Sequence, residues 1–228
     1  MAERNGLLGL TQALRKLLFA KSGNYQNRYG KAYGSNSVDY RKHKRMLNSG
    51  DAPEKFKRLA EIVPGEKVVD VGAGEGILAL VMAATKTKTR AIDVTPRRYE
   101  TGLALRDKWI SLGKTSERCE LVLGDALANP SLLDGFDTLV ASRVIYYFGE
   151  NIDRFIAQAA ERVEYVCLVG NASRNRRYAR GKIPSDIGEN VIYSTPEGMR
   201  SLLQSHGFEI IQTADFGDPV VIGRKIKS

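Results

Sequence analysis

Cysteine, histidine and tryptophan are scarce in this 228-residue chain, which has two Cys, two His and one Trp. Cys119 and Cys167 each sit alone in an apolar run with no C-x-x-C spacing. That argues against a cysteine-built zinc site or a disulfide framework and points to buried, reduced thiols. The N-terminus also lacks a signal-peptide core with a cleavage site, so the expected location is the cytoplasm. Long apolar runs are missing as well. The longest, Ile77 to Ala84, falls short of the roughly 20 residues that a membrane-spanning helix needs, so no transmembrane segment is expected. Acidic residues are in deficit: 26 Asp and Glu against 35 Lys and Arg give a formal charge of +9, which attracts anions without saying which. No internal repeat or low-complexity stretch occurs. The remaining composition is that of a globular protein long enough for one sizeable core.

The chain is organised around Val68-Val69-Asp70-Val71-Gly72-Ala73-Gly74-Glu75-Gly76, an apolar run ending in an acid and then three alternating glycines before a helix-forming segment. It reads as strand, tight turn and helix start. Glycines at 72 and 74 allow positive φ and the close approach of a ligand. A dinucleotide site wants G-x-G-x-x-G, yet Ile77 stands where its third glycine belongs. Glu75, in the first helical turn, would also compete with a pyrophosphate for free N–H groups. An NAD(P) site and a purely structural turn are the other readings of this pattern.

Strands and helices then alternate. A short helix over Asp51 to Ile62 and the turn Pro64-Gly65 lead into the first strand. Ile77 to Thr85 is a crossover helix, Thr89 to Val94 a second strand, Arg97 to Leu112 a second crossover helix and Cys119 to Leu123 a third strand. Phe136 to Ala141, Asn151 to Val163 and Tyr165 to Val169 continue as strand, helix and strand. Thr195-Pro196-Glu197 starts a last helix, with threonine as cap and proline at the first position, and Gly207 ends it. Glu209 to Thr213 and Val220 to Ile222 make a terminal hairpin. The connection from Asn171 to Asn190 is expected to be a long structureless loop, rich in Arg174, Arg176, Arg177, Arg180 and Lys182, and loops of that length tend to be functional. Such alternation implies a doubly wound, mostly parallel sheet that binds ligands at the carboxyl ends of its strands.

The acid followed by one residue and G-x-G-x-G resembles motif I of the class I S-adenosylmethionine-dependent methyltransferases. The resemblance covers residues from about 50 to 228 and implies a seven-stranded Rossmann-like methyltransferase sheet, residues 51–228, with an N-terminal helical extension or lid over residues 1–50. In that extension the leucines from Leu7 to Leu18 recur at helical spacing, and Tyr25, Tyr29 and Tyr33 suggest a segment that covers something. Asp93 ends the second strand 23 residues after Asp70 (93 − 70), the spacing at which a carboxylate meets ribose hydroxyls in doubly wound folds. A strand-end aspartate can instead cap the next helix. Gly124-Asp125-Ala126 resembles the family's motif III, in which the acid accepts from the adenine amine. The implied cofactor is S-adenosyl-L-methionine, held by Asp70, Gly72, Ala73, Gly74, Asp93, Val94, Asp125, Ala126, Ser142 and Arg143. Arg41, in the basic run before motif I, is a candidate for the methionine carboxylate.

The segment after the fourth strand narrows the chemistry. Ser142-Arg143-Val144-Ile145-Tyr146-Tyr147-Phe148 is not the acid or asparagine, two prolines and aromatic of enzymes acting on exocyclic base amines. There is no Pro-Cys nucleophile, and no metal is expected. Tyr146 and Tyr147 are candidates for the acceptor pocket, one pointing in and the other lining the pocket, with plain packing of both as the alternative. His43 is a candidate general base by its pKa, although its basic run suits a surface position. The expected function is methyl transfer to an oxygen or nitrogen of a small-molecule or glycan-like, anionic acceptor. An RNA methyltransferase and a non-catalytic binding protein of the same fold are the alternatives. Acceptor identity and oligomeric state are not encoded in these motifs.

Overall fold

The computed structural model describes residues 38–182 and 187–226, with side chains described from His43 onward. The leucine-rich segment, the three tyrosines of the N-terminal extension and the Arg41 side chain lie outside the described residues. Elements are labelled from the first described helix: α1 (Val38–Asn48), α2 (Glu54–Ile62), β1 (Lys67–Val71), α3 (Ile77–Met82), β2 (Lys88–Asp93) and α4 (Pro96–Ser111). They continue with β3 (Cys119–Leu123), β4 (Thr138–Ser142), α5 (Ile152–Ala160), β5 (Tyr165–Val169) and α6 (Ala172–Tyr178). The last are α7 (Pro196–Ser205), β6 (Phe208–Asp215) and β7 (Pro219–Lys225).

Seven strands form one sheet in the order β3-β2-β1-β4-β5-β7-β6. The first five are parallel, while β7 runs antiparallel to both β5 and β6. Strands β1, β4 and β5 are apolar almost throughout because they are covered on both faces: Val68, Val69, Leu139, Val140, Val166 and Leu168 are fully buried. Strand order reverses between β1 and β4, and that reversal opens the crevice at the carboxyl edge.

The crossover segments pack by the same logic. Helix α4 buries Gly102, Leu105 and Trp109 at helical spacing. Trp109 Nε1 donates to the carbonyl of Leu47 at 2.5 Å, so the last turn of α1, with Leu47 fully buried, packs against α4. Strand β4 begins at Thr138, two residues later than the sequence suggests. The reason is Asp137, whose carboxylate turns back to accept from the backbone N–H groups of Glu66 and Lys67 at the start of β1.

At the far end of the chain, Thr195 caps α7 by accepting from Gly198 N at 3.1 Å, and Gly207 follows with φ 78°. The terminal hairpin is longer than its apolar runs because the edge strand β6 exposes much of its length. A correction concerns residues 171–190. Where a structureless loop was expected, Asn171 accepts from Ser173 N and Arg174 N and so caps α6, and a 3-10 segment follows at Gly188–Ser194. Nothing between Ala172 and Arg180 breaks a helix, so a good cap suffices to start one.

Candidate functional site

The turn after β1 is locked by its own backbone. Gly72 N and Ala73 N both donate to the carbonyl of Ile92, at 2.8 and 3.0 Å, and Gly76 N donates back to Ala73 O at 3.0 Å. Gly72 and Gly74 hold φ of 68° and 64°, the left-handed region. The two glycines serve different ends. A Cβ at Gly72 would collide with the side chain of Val144, whereas at Gly74 the one neighbour within 4 Å among the described residues would be Arg98, at 3.4 Å. Gly72 thus lets the chain after β4 close on the turn. Gly74 leaves a cradle that a side chain would fill.

Three acids stand at or within two residues of the ends of the three strands on this side. Asp70 is 1% exposed, and its Oδ1 has no hydrogen-bond partner among the described residues. Burial first and the neighbouring Asp93 second push its pKa up to about 8. Asp93, also buried, uses both oxygens: Oδ2 accepts from Gly74 N and Oδ1 from Thr95 N, each at 2.8 Å. Its pKa is raised by burial, against the Arg98 charge and those two N–H groups. One carboxylate therefore ties the glycine turn to the start of α4. Thr95 makes no side-chain cap, so the helix-start role that competed with ribose binding falls partly to Asp93 itself. Asp125 Oδ1 accepts from Leu127 N at 2.9 Å and from Ala128 N at 3.3 Å, with Ala126 buried and Val94 half-buried beside the edge.

The turns after β4 and β5 are built from side chains. Both tyrosines are buried, Tyr146 at 1% and Tyr147 at 8% exposure, with ring centroids 4.8 Å apart. Neither ring is exposed to solvent. Residues Ile145–Tyr147 form a 3-10 turn, where successive side chains diverge by about 120° rather than pointing to opposite faces. Both rings face Arg174 of α6. Its guanidinium lies 5.2 Å from one ring centroid and 5.3 Å from the other, and donates to Tyr147 Oη at 2.5 Å. Asn171 Nδ2 donates to Tyr146 Oη at 3.3 Å. Arg143, next to Ser142 at the end of β4, turns its guanidinium to Asp218, donating from Nε at 2.8 Å and Nη2 at 2.5 Å.

Two candidates stand apart. His43 is half-buried on α1, which meets α4 at Trp109, about 20 Å along the helix from Pro96 at 1.5 Å per residue. No described hydrogen bond or ion pair ties His43 to the strand-end group. The Arg41 side chain is outside the described residues. Cys119 and Cys167 are buried and unpaired, with thiol pKa values raised by burial, the first to about 11. Sequence reasoning passed over Asn171, Asp218 and Arg98. Asn171 alone carried a local sign, as a capping residue before an unbroken helical stretch.

No family model and no curated protein matches the sequence, whereas many solved structures match the fold. A magnesium protoporphyrin IX methyltransferase from Synechocystis, crystallised with bound S-adenosylmethionine, aligns with 16% identity and a TM-score of 0.57 over 92% of this chain and 95% of that one. The N-methyltransferase NodS from Bradyrhizobium japonicum, in complex with S-adenosylhomocysteine, gives 16% identity and 0.56 over 84% and 100%. A SAM-dependent methyltransferase from Aquifex aeolicus gives 18% and 0.56 over the same shares.

This chain has the class I methyltransferase fold. Within the methyltransferase fold, the residues present suit an adenosyl sulfonium ligand. Asp70 Oδ1, without a hydrogen-bond partner among the described residues, is an acceptor waiting for a donor, Arg98 alone of the described side chains comes within 4 Å of the Gly74 cradle, and a carboxylate stands at or within two residues of the end of each of β1, β2 and β3. No group of three or more His, Cys, Asp and Glu that could hold a metal occurs among the described residues.

Proposed function

We propose that this chain is an enzyme that transfers the methyl group of S-adenosyl-L-methionine to an oxygen or nitrogen of an anionic small-molecule or glycan-like acceptor. One observation carries the cofactor half: a fully buried Asp70 carboxyl with a partnerless oxygen, beside a glycine turn that Asp93 holds open. The cofactor supplies an electrophilic methyl group on a sulfonium. The chain's own residues bind and align. Asp93 keeps lone pairs on both oxygens to accept from a ribose diol, Asp125 is set to accept from an adenine amine, and Asp70 to accept from an ammonium. Gly72, Ala73, Val94, Ala126, Ser142 and the Arg143 backbone shape the walls.

The acceptor half rests on Arg174. Its half-buried guanidinium, set over two tyrosine rings and bonded to one hydroxyl, is a planar fork of donors suited to carboxylate or phosphate. Tyr146 and Tyr147 orient it, and through it the acceptor. Because transfer from a sulfonium is an in-line displacement, alignment is the main contribution asked of the protein. An RNA acceptor is the second reading, supported by the exposure of Arg176, Arg177 and Arg180 on α6 and just past it.

Incubation with methyl-labelled cofactor tests both readings, using phosphorylated metabolites, carboxylated metabolites, acidic oligosaccharides and RNA as separate acceptors. Label is expected in an anionic small acceptor. Label in RNA alone would move the acceptor to nucleic acid, and no transfer to any class by protein that binds the cofactor would leave a binding protein.

A further inference from the structure

Arg143 is the single non-glycine residue with positive φ among those described, at 56°. Left-handed backbone is disfavoured for a side-chain-bearing residue and persists where surrounding contacts over-determine it. Here the contacts are specific. Asp218, 6% exposed in the turn between β6 and β7, accepts from Arg143 Nε and Nη2 with one oxygen and from Ala172 N, at 3.2 Å, with the other. Gly170 N donates to Pro219 O at 2.8 Å, which fixes that hairpin turn beside the end of β5. On the other side, Arg143 N donates to Val169 O at 2.8 Å, and the next residue, Val144, lies where a Cβ on Gly72 would be.

The chain therefore reverses direction at Arg143. Its guanidinium goes outward to a buried carboxylate, and Val144 goes inward onto the glycine turn. A right-handed residue at 143 would send Val144 elsewhere and uncover Gly72. We propose that Arg143 and Asp218 are positioning residues, whose ion pair holds the left-handed turn after β4 and so seats Val144 against Gly72 to fix the shape of the cofactor turn. This rests on the methyltransferase reading and assigns Arg143 a role through its backbone and its ion pair with Asp218.

Two double variants separate this from a merely structural contact. Arg143→Gly with Asp218→Asn, and Arg143→Ala with Asp218→Asn, both remove the ion pair and leave neither of its charges alone. They differ in how readily residue 143 adopts positive φ. Calorimetric titration with S-adenosylhomocysteine, alongside thermal melts, is expected to show the glycine version binding about tenfold more tightly than the alanine version. Equal affinities, with both proteins folded, would overturn the proposal. The single variant Asp218→Asn, which keeps Arg143 and a shape-matched acceptor, is expected to bind about threefold more weakly than the wild type. Affinity unchanged there would overturn the proposal too. A wild-type protein that binds no S-adenosylhomocysteine would overturn the methyltransferase reading itself, and the positioning role with it.

Discussion

Along the carboxyl edge of the sheet, the turns after β1, β2 and β3 are held by backbone N–H groups donating to a carboxylate, while those after β4 and β5 are held also by side chains reaching across the chain. Asp93 binds Gly74 N and Thr95 N, and Asp125 binds Leu127 N and Ala128 N. On the other side Arg143 meets Asp218, 75 residues away, and Arg174 meets Tyr147, 27 residues away. The first half is stiff and chemically general, because a carboxylate and a glycine turn suit a ligand with a diol and an ammonium whatever is being methylated. The second half is specified residue by residue, as the proposed acceptor site would have to be. Apart from Arg143 and Asp218, whose turn seats Val144 against Gly72, a perturbation of one half should leave the other intact.

The largest effect is expected on the cofactor side. Asp93→Ala removes a ligand acceptor and releases two turns at once, so S-adenosylhomocysteine affinity should fall by about 2–3 kcal/mol, the scale of a lost hydrogen bond to a charged group. Asp93→Asn, which keeps one acceptor, should lose less. Calorimetry on folded protein checks both, and affinity within threefold of wild type for the alanine variant would break the division between the two halves.

A smaller and complementary effect is expected from Arg174→Gln: an acceptor KM raised about tenfold, with S-adenosylhomocysteine affinity unchanged. Joint replacement of Arg176, Arg177 and Arg180 by Gln should raise KM less, and more at low salt than at high, because these exposed charges are screened. Steady-state kinetics with the labelled acceptor would show it. A triple variant worse than Arg174→Gln would move anion recognition from the tyrosine cluster to the outer face of α6.

How far these halves are legible in the sequence depends on how they are built. Strand ends, the glycine turn and the Asp70-to-Asp93 spacing are local patterns, and the sheet places all of them at one edge. Most helix and strand limits agree to within a few residues, because period and capping are local too. What the sequence hid depends on contacts between distant positions. Nothing near Asp218 marks it as the partner of Arg143, and the inward turn of both Tyr146 and Tyr147 depends on Arg174 meeting them. The basic stretch after β5 was legible as charge. Its division into one half-buried arginine and several exposed ones was not, since that needs α6 and its Asn171 cap.

A separate effect is expected on pH dependence. The Asp70 carboxyl has its pKa raised from the usual carboxylate value to about 8, so the folded protein binds a proton there that the unfolded chain releases. Stability should therefore be greatest below the unfolded value near 4 and decline as pH rises toward about 8, where the penalty is complete. Asp70→Asn should flatten that part of the profile in thermal melts across roughly pH 5 to 9, and an unchanged slope would remove Asp70 as its source. The same sign applies to binding. An ammonium brought to Asp70 favours the carboxylate, so cofactor binding near pH 7 should release up to about one proton.

Titration of the wild-type protein with S-adenosylhomocysteine, at about pH 7 in two buffers of different ionisation enthalpy, tests the cofactor edge most directly. Saturable one-to-one binding with proton release is the predicted result, with the proton release lost in Asp70→Asn and the affinity lowered in Asp93→Ala. A folded protein that binds no S-adenosylhomocysteine, or binds it with equal affinity and no proton release in all three forms, would contradict it.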